Sequence, residues 1–426
     1  MTADISSDRL HIRDLAPGVS ATAGLVGVVG LAAAVVLAVV TGAGEAFFRG
    51  YLVAFCYAVS LMLGGLFFVL IHHVTRAGWS VVVRRIAENV MMTASLLALL
   101  SLVIVLPMVF GWPHSIYDVF HWADPRVTQP GLDAEHFDPI LAGKSGYLNV
   151  PFFFFRMVIY FGVWVACANY FYRSSVQQDQ SRDGELTLAM QRISAPSLVL
   201  FALTTTFFAF DLLMSLDPHW FSTIFGVYFF AGCVVSFCSL LGLTVFLLQQ
   251  AGRATQCINT EHYHDIGKLM FAFVVFWAYI AYSQYMLIWY GNLPEETGWL
   301  IVRQDPAWLP LSLWLLFGHF IIPFLGLISR VPKRRRDLLV FGAAWLLVMH
   351  WLDICWLALP HQLHAGGEAG HGSVPAPGVL DVLQVLLCTL GVGGLFVWSV
   401  VRRMGRTSLI PEGDPRLPES LAFENY

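Results

Sequence analysis

Charge is scarce in this chain. Asp, Glu, Lys and Arg make up 12% of its 426 residues, against roughly 25% in an ordinary soluble domain. With 57% of the residues hydrophobic, a soluble core has no room for so much apolar sequence, and the class is a polytopic membrane protein. The net charge of −4 excludes nothing, because the charges segregate by loop. Seven cysteines occur, and none forms CxxC or CxxCH. Covalent c-type haem attachment is thereby excluded, and a thiolate-bound iron–sulfur cluster has no ligand motif. Nucleotide, phosphate and nucleophile motifs are missing too. The run GLVGVVG at 24–30 reads as a small-residue helix-packing face. No cleavable signal peptide is expected, since residues 1–17 are polar and of mixed charge.

What is abundant is apolar length. A bilayer core needs about 20 apolar residues as helix. Ten runs qualify, at 18–41, 50–74, 88–111, 151–172, 194–216, 221–249, 267–290, 307–329, 338–358 and 378–401. The fold class is therefore all-α and polytopic, with ten transmembrane helices. A segment 1–17 precedes the membrane domain 18–401, and a Pro-rich tail 402–426 follows it, expected to lie along a neighbour or stay extended. Alternate loops divide nineteen Lys and Arg on one side from four on the other (Arg49, Arg126, Lys144, Arg303), with Arg156 inside a span. The positive-inside bias predicts both termini cytoplasmic. The long loop 112–150 is acidic and aromatic, which predicts a folded surface that meets a partner. Residues 361–377 read as a floppy loop. Its His361, His364 and His371 lack the Cys or Asp companions of a metal site, so no metal is expected.

Ionisable groups inside spans are costly and ask for a partner or a purpose. Counting about 1.5 Å per residue, His319 lies about 16 Å above Arg330, and His350 with Asp353 about 21–25 Å above Arg336. Asp211 lies about 28 Å above Arg192, and Tyr279 about 16 Å above Lys268. His350 and Asp353, three apart, share one helix face. His72, His73 and Glu88 sit at the inner ends of their spans, where snorkelling is the plain alternative. His319 has the plain reading of a buried histidine bonded to a carbonyl. Paired histidines (His72 or His73, His319, His350) at mismatched depths argue against haem b.

The stretches FDLLMSLDPHWFSTIFGVYFFAG (210–232), HDIGKLMFAFVVFWAYIAYSQYMLIWYGNLPEETGW (264–299), MHWLDICWLALP (349–360) and GDPRLPESLAFENY (413–426) carry a resemblance. They are similar to the second NrfD-like membrane subunits (the ActF family) of bacterial alternative complex III, a quinol:electron acceptor oxidoreductase, and FFVLIHHVTRAGWSVVVRRIAE (67–88) fits as well. The resemblance runs from the second helix to the terminus. It implies ten helices, with two four-helix bundles inside flanking helices, in the bacterial inner membrane. It also implies a paralogous NrfD-like quinol-binding subunit, a periplasmic iron–sulfur and molybdopterin-like subunit, multihaem and monohaem c-type cytochromes, small membrane subunits and lipids as partners, without nucleic acid. Haem and iron–sulfur clusters would then belong to the partners. This chain would carry no redox centre of its own, although its family is often named quinone-binding.

On that reading the polar residues form a proton path. Inner His72, His73, Glu88 and Lys268 would lead through Tyr279, Tyr282 and Gln284 to His319, His350, Asp353 and Asp211, with Glu295 and Glu296 at the outer mouth. Two alternatives stand beside it. In one, the chain binds and oxidises quinol (ubiquinol or menaquinol) itself, at His350 and Asp353. In the other it is a secondary transporter, which continuous helices and a vague likeness between halves argue against.

Overall fold

In the computed structural model, residues 8–129, 131–133, 136–360 and 376–425 are described. All ten expected runs are helices long and apolar enough to cross a membrane, and no strand occurs among the described residues. They are α1 Ala16–Thr41, α2 Gly44–Val74, α3 Val81–Phe110, α4 Val150–Ser181, α5 Gly184–Leu216, α6 Phe225–Gln250, α7 Thr260–Gly291, α8 Leu309–Ile328, α9 Arg336–Ala358 and α10 Val379–Met404. The three histidines at 361, 364 and 371 lie outside the described residues.

Side-chain oxygens set several of the boundaries. Asn149 caps α4 by accepting from the Phe152 amide at 2.9 Å, and Asp183 caps α5 through the Glu185 amide at 2.9 Å. Asn259 caps α7 through the Glu261 amide, while His262 Nδ1 takes the Asn259 amide in return. Each cap fills an orphan donor of a helix start. Gly42 and Gly111 close α1 and α3 in the left-handed region, at φ 70° and 67°.

Helices α2, α3, α4 and α5 pack as one four-helix group and α6, α7, α8 and α9 as another, with α1 and α10 paired on the flank of α2. The seam between the groups is α2 against α6, the two spans most buried inside the molecule. A Cβ at Gly64 would collide with the Cys233 carbonyl and Phe237, so glycine permits this contact. The run at 24–30 does pack as read: a Cβ on Gly27 would lie 2.7 Å from the Leu395 amide, and one on Gly30 2.8 Å from that of Gly391.

Two spans depart from the expected continuity. α3 is interrupted at Met92–Thr93 and at Ser101, where the hydroxyls bond back to carbonyls three residues earlier (Thr93 to Val90, 2.8 Å; Ser101 to Ala98, 2.7 Å). α8 widens to a π-turn over Leu316–Ile321. Pro323 has no N–H to give the His319 carbonyl, which breaks the ordinary ladder there. Trp345 Nε1 of α9 instead donates to the neighbouring Gly318 carbonyl at 2.7 Å.

The termini and the basic loops share one end of the molecule, the basic end. Leu409 donates to the Leu10 carbonyl at 2.8 Å, Asp8 accepts from amides 255–257, and Arg334 pairs with Glu261. The tail does not extend away. It folds back on its own chain, burying Leu409, Ile410, Asp414 and Ser420. The described residues of the 112–149 loop at the far end are folded, with Ile116, Phe120 and Trp122 buried and Trp122 edge-on to Phe153.

Candidate functional site

The polar residues singled out in the spans do not form one chain. They separate into three clusters and an outward-facing stripe.

The central cluster lies in the second four-helix group. Asp353 and His350, one turn apart on α9, are each 1% exposed. Asp353 Oδ1 accepts the hydroxyl of Tyr228 from α6, and Oδ2 accepts the indole N–H of Trp277 from α7 at 3.2 Å. His350 Nδ1 faces the same Oδ2 at 3.9 Å. On its other side His350 Nε2 lies 2.8 Å from Ser60 Oγ of α2, and Ser60 Oγ also lies 2.7 Å from the Tyr57 carbonyl. Ser60 has a single hydroxyl proton, and a carbonyl only accepts. That proton therefore goes to Tyr57, and Ser60 accepts from His350 Nε2–H. A neutral His350 then turns its Nδ1 lone pair toward Asp353 Oδ2, at a separation longer than a direct hydrogen bond.

His319, fully buried in the π-turn of α8, packs tilted against Trp277 with ring centroids 4.0 Å apart and sits 6.4 Å from the His350 ring. Neither of its nitrogens has a hydrogen-bond partner among the described residues. The carbonyl-bonded reading of His319 is thus overturned. Gly232 makes room for the cluster, since a Cβ there would lie 2.6 Å from His350 Cε1.

Asp211 belongs elsewhere. Arg156 of α4 grips it with two bonds (Nε to Oδ2, 2.7 Å; Nη2 to Oδ1, 2.9 Å), and Tyr160 donates to Oδ2 at 2.7 Å. Arg156 is further held by the Tyr147 carbonyl and lies over the Tyr147 and Phe152 rings. Phe208 packs on both Tyr160 and Phe229. This is a closed, charge-balanced ion pair.

The third cluster lies at the basic end. Arg84 bonds Glu88 at 3.2 Å and pairs with Asp414 of the tail. Arg85 reaches Asp179 at 2.8 Å and the carbonyl and hydroxyl of Ser175. Its Nε lies 2.9 Å from Glu88 Oε2, in ion-pair contact but off the hydrogen-bond axis. His72 bonds its own helix at the Phe68 carbonyl, and His73 Nε2 has no partner among the described residues. Both histidines are buried, so snorkelling does not describe them. Lys268 stands apart, its side chain 46% exposed and paired with Asp265 and Asn425.

The stripe is placed differently from the expectation. Tyr279 and Tyr282 are 64% and 63% exposed, with Met286 and Trp289 beside them. They face out of the bundle and touch none of the three clusters. Only Gln284, on the opposite side of α7, is buried, 3.4 Å from the Ser222 hydroxyl. Trp277, in the same stretch, is the residue that reaches the site. Tyr228, Trp277 and Ser60 were not singled out from sequence. No spacing signal marks them, because each meets His350 or Asp353 from a different helix.

Above the central cluster, at the far end, Arg303 of the short helix Pro294–Gln304 caps α9. It donates to the carbonyls of Trp299, Trp356 and Leu357 at 3.0–3.2 Å and stacks on Trp299 at 3.6 Å. Burial lowers its guanidinium to about 9, against the opposing pull of Asp217. In the loop below, burial raises Asp138, but the amides of Leu141 and Ile140 and the ring of His219 outweigh it and leave the carboxyl lowered. No family model and no curated protein matches this chain.

Proposed function

We propose that this chain is a membrane subunit of a quinol:electron acceptor oxidoreductase of the alternative complex III type, and that Asp353 with His350 is its proton-loading site. The observation that carries the reading is the Asp353–His350 contact. It is a buried carboxyl held only by neutral donors, facing the free nitrogen of a buried histidine, with a second unpartnered histidine 6.4 Å further on. Titratable groups of this kind in a span are the material of proton relays. The stretches that carry the family resemblance also supply the site: 210–232 contributes Tyr228, 264–299 contributes Trp277, and 349–360 contributes His350 and Asp353. The partners would be the paralogous quinol-binding subunit and the iron–sulfur and haem c subunits, which carry the electrons. The basic end, with Glu88 and His73, would face the cytoplasm.

As packed, the Asp353–His350 pair does not fit a quinone, because Tyr228 and Trp277 fill the carboxylate face and Ser60 the far side of the ring. No redox step is therefore assigned to this chain. On this reading Asp353 holds the proton, and Ser60 fixes the ring orientation that turns His350 Nδ1 toward Asp353 Oδ2, 3.9 Å away.

The test is the ratio of protons translocated to electrons transferred in vesicles carrying the whole complex. Asp353→Asn and His350→Gln are expected to lower that ratio by more than half while quinol oxidation with an uncoupler persists. An unchanged ratio in both variants would sink the reading. Co-purification of the tagged chain without any haem c or iron–sulfur protein would remove the redox assignment itself.

A further inference from the structure

We infer that the groove between the first turns of α1 and the last turns of α10 binds the phosphate of an anionic glycerophospholipid. The inference rests on the membrane-spanning fold alone and is independent of the redox reading. The groove encloses about 440 Å³ and is lined by Arg13, Ser20, Trp398, Arg402, Gly405 and Arg406, among others. It exists because the helices touch at small residues: a Cβ on Gly405 would lie 2.6 Å from that of Ala16.

Three guanidinium groups thus border one groove. Elsewhere at the basic end five arginines are neutralised: Arg84 by Glu88 and Asp414, Arg85 by Asp179, Arg253 by Asp14, Arg334 by Glu261 and Arg416 by Glu419. Among the described residues Arg13, Arg402 and Arg406 form no ion pair, and the nearby Asp14 is engaged by Arg253. Arg402 instead lies over the Trp398 ring, 5.3 Å from its centroid, which holds the guanidinium toward the groove. A cluster of unneutralised arginines is a site for phosphate, whose oxygens match the guanidinium fork.

The groove's surroundings select a lipid over a free anion. Continuing from it along the bundle, Leu25 and Val28 of α1 and Val397 and Leu390 of α10 are exposed apolar side chains. They give two acyl chains a wall that begins where the arginines end. Basic pockets between helices at one membrane face bind such headgroups, with about 1 kcal/mol for each Lys or Arg near the surface.

The experiment uses the full-length chain in its native assembly, stripped of lipid in detergent. It is titrated with cardiolipin, phosphatidylcholine and inorganic phosphate and read by native mass spectrometry. Cardiolipin is expected to bind and phosphatidylcholine not. Arg402→Gln/Arg406→Gln should weaken cardiolipin about tenfold or more, whereas Arg173→Gln/Arg182→Gln, exposed arginines outside the groove, should not. Ala21→Trp fills the groove and keeps every charge, so it must also weaken binding, which preserves the test if the charge variant misfolds. Equal binding of phosphatidylcholine, equal loss in the control variant, or displacement of cardiolipin by inorganic phosphate at the same concentration would overturn the inference.

Discussion

Asp211 and Asp353 are both carboxylates sealed within an apolar bundle, and their partners assign them different work. Asp211 has a cation on it, bound twice by Arg156. Asp353 has only a phenol, an indole and a neutral imidazole, so nothing but a proton can balance its charge. Removing one member of a buried ion pair leaves the other uncompensated and costs about 3–5 kcal/mol, whereas replacing both by apolar groups is often near neutral. Arg156→Met should therefore lower the thermal midpoint sharply, and Arg156→Met/Asp211→Leu should recover most of the loss. Asp211→Asn is expected to leave the proton-to-electron ratio unchanged. A double variant no more stable than the single one would show that Asp211 is more than an anchor.

At the scale of elements, the clearest device is the α1–α10 zipper. Gly27, Gly30, Gly391 and Gly394 bring the two backbones together, and a Cβ on Gly394 would lie 2.5 Å from the Gly27 amide. Such contacts substitute for a hydrophobic driving force, which is weak between helices in lipid. Gly394→Leu has to push the helices apart, at an overpacking cost of about 1–3 kcal/mol. Amide exchange in α1 should rise while α6 and α9 stay protected, since α1 packs chiefly on α10. Unchanged protection of α1 would show the contact to be looser than the geometry states. The π-turn of α8 is the other device, because the disturbed ladder at Pro323 sets His319 beside Trp277.

For the whole molecule, the C-terminal tail closes the basic end. Asp414 pairs with Arg84, Gly413 donates to Asp179 at 3.1 Å, and Ser420 donates to the Trp79 carbonyl at 2.6 Å. Phe423 rests between Trp79 and His262, and Asn425 bridges Asp265 and Lys268. The tail thus ties α3, α4, α7 and the α2–α3 loop together from outside the spans. Asp414→Asn should halve the charge available to Arg84 and free the tail. Limited proteolysis after Arg406 or Arg416 is expected to accelerate several-fold at unchanged detergent and temperature. Equal cleavage rates would place the tail's anchorage in its other contacts, those of Gly413, Ser420, Phe423 and Asn425.

The sequence by itself determined what local sums determine. Ten spans follow from apolar length, the clustering of the basic loops at one end from where Arg and Lys fall, and the α1 packing face from the glycine period. It also marked Asp353 and His350 as a pair, because a separation of three residues fixes a shared face. It could not tell which way each helix is turned about its axis. Tyr279, Tyr282, Trp277 and Gln284 all lie on α7, yet two face out and two face in. In a helix apolar on every side the hydrophobic pattern does not choose a face, and the choice falls to the neighbours. Only the tertiary structure brought Ser60, Tyr228 and Trp277 to the acid, gave Asp211 its arginine and folded the tail home. Those contacts join residues tens to hundreds of positions apart, and they are set by which helices pack together rather than by any spacing along the chain.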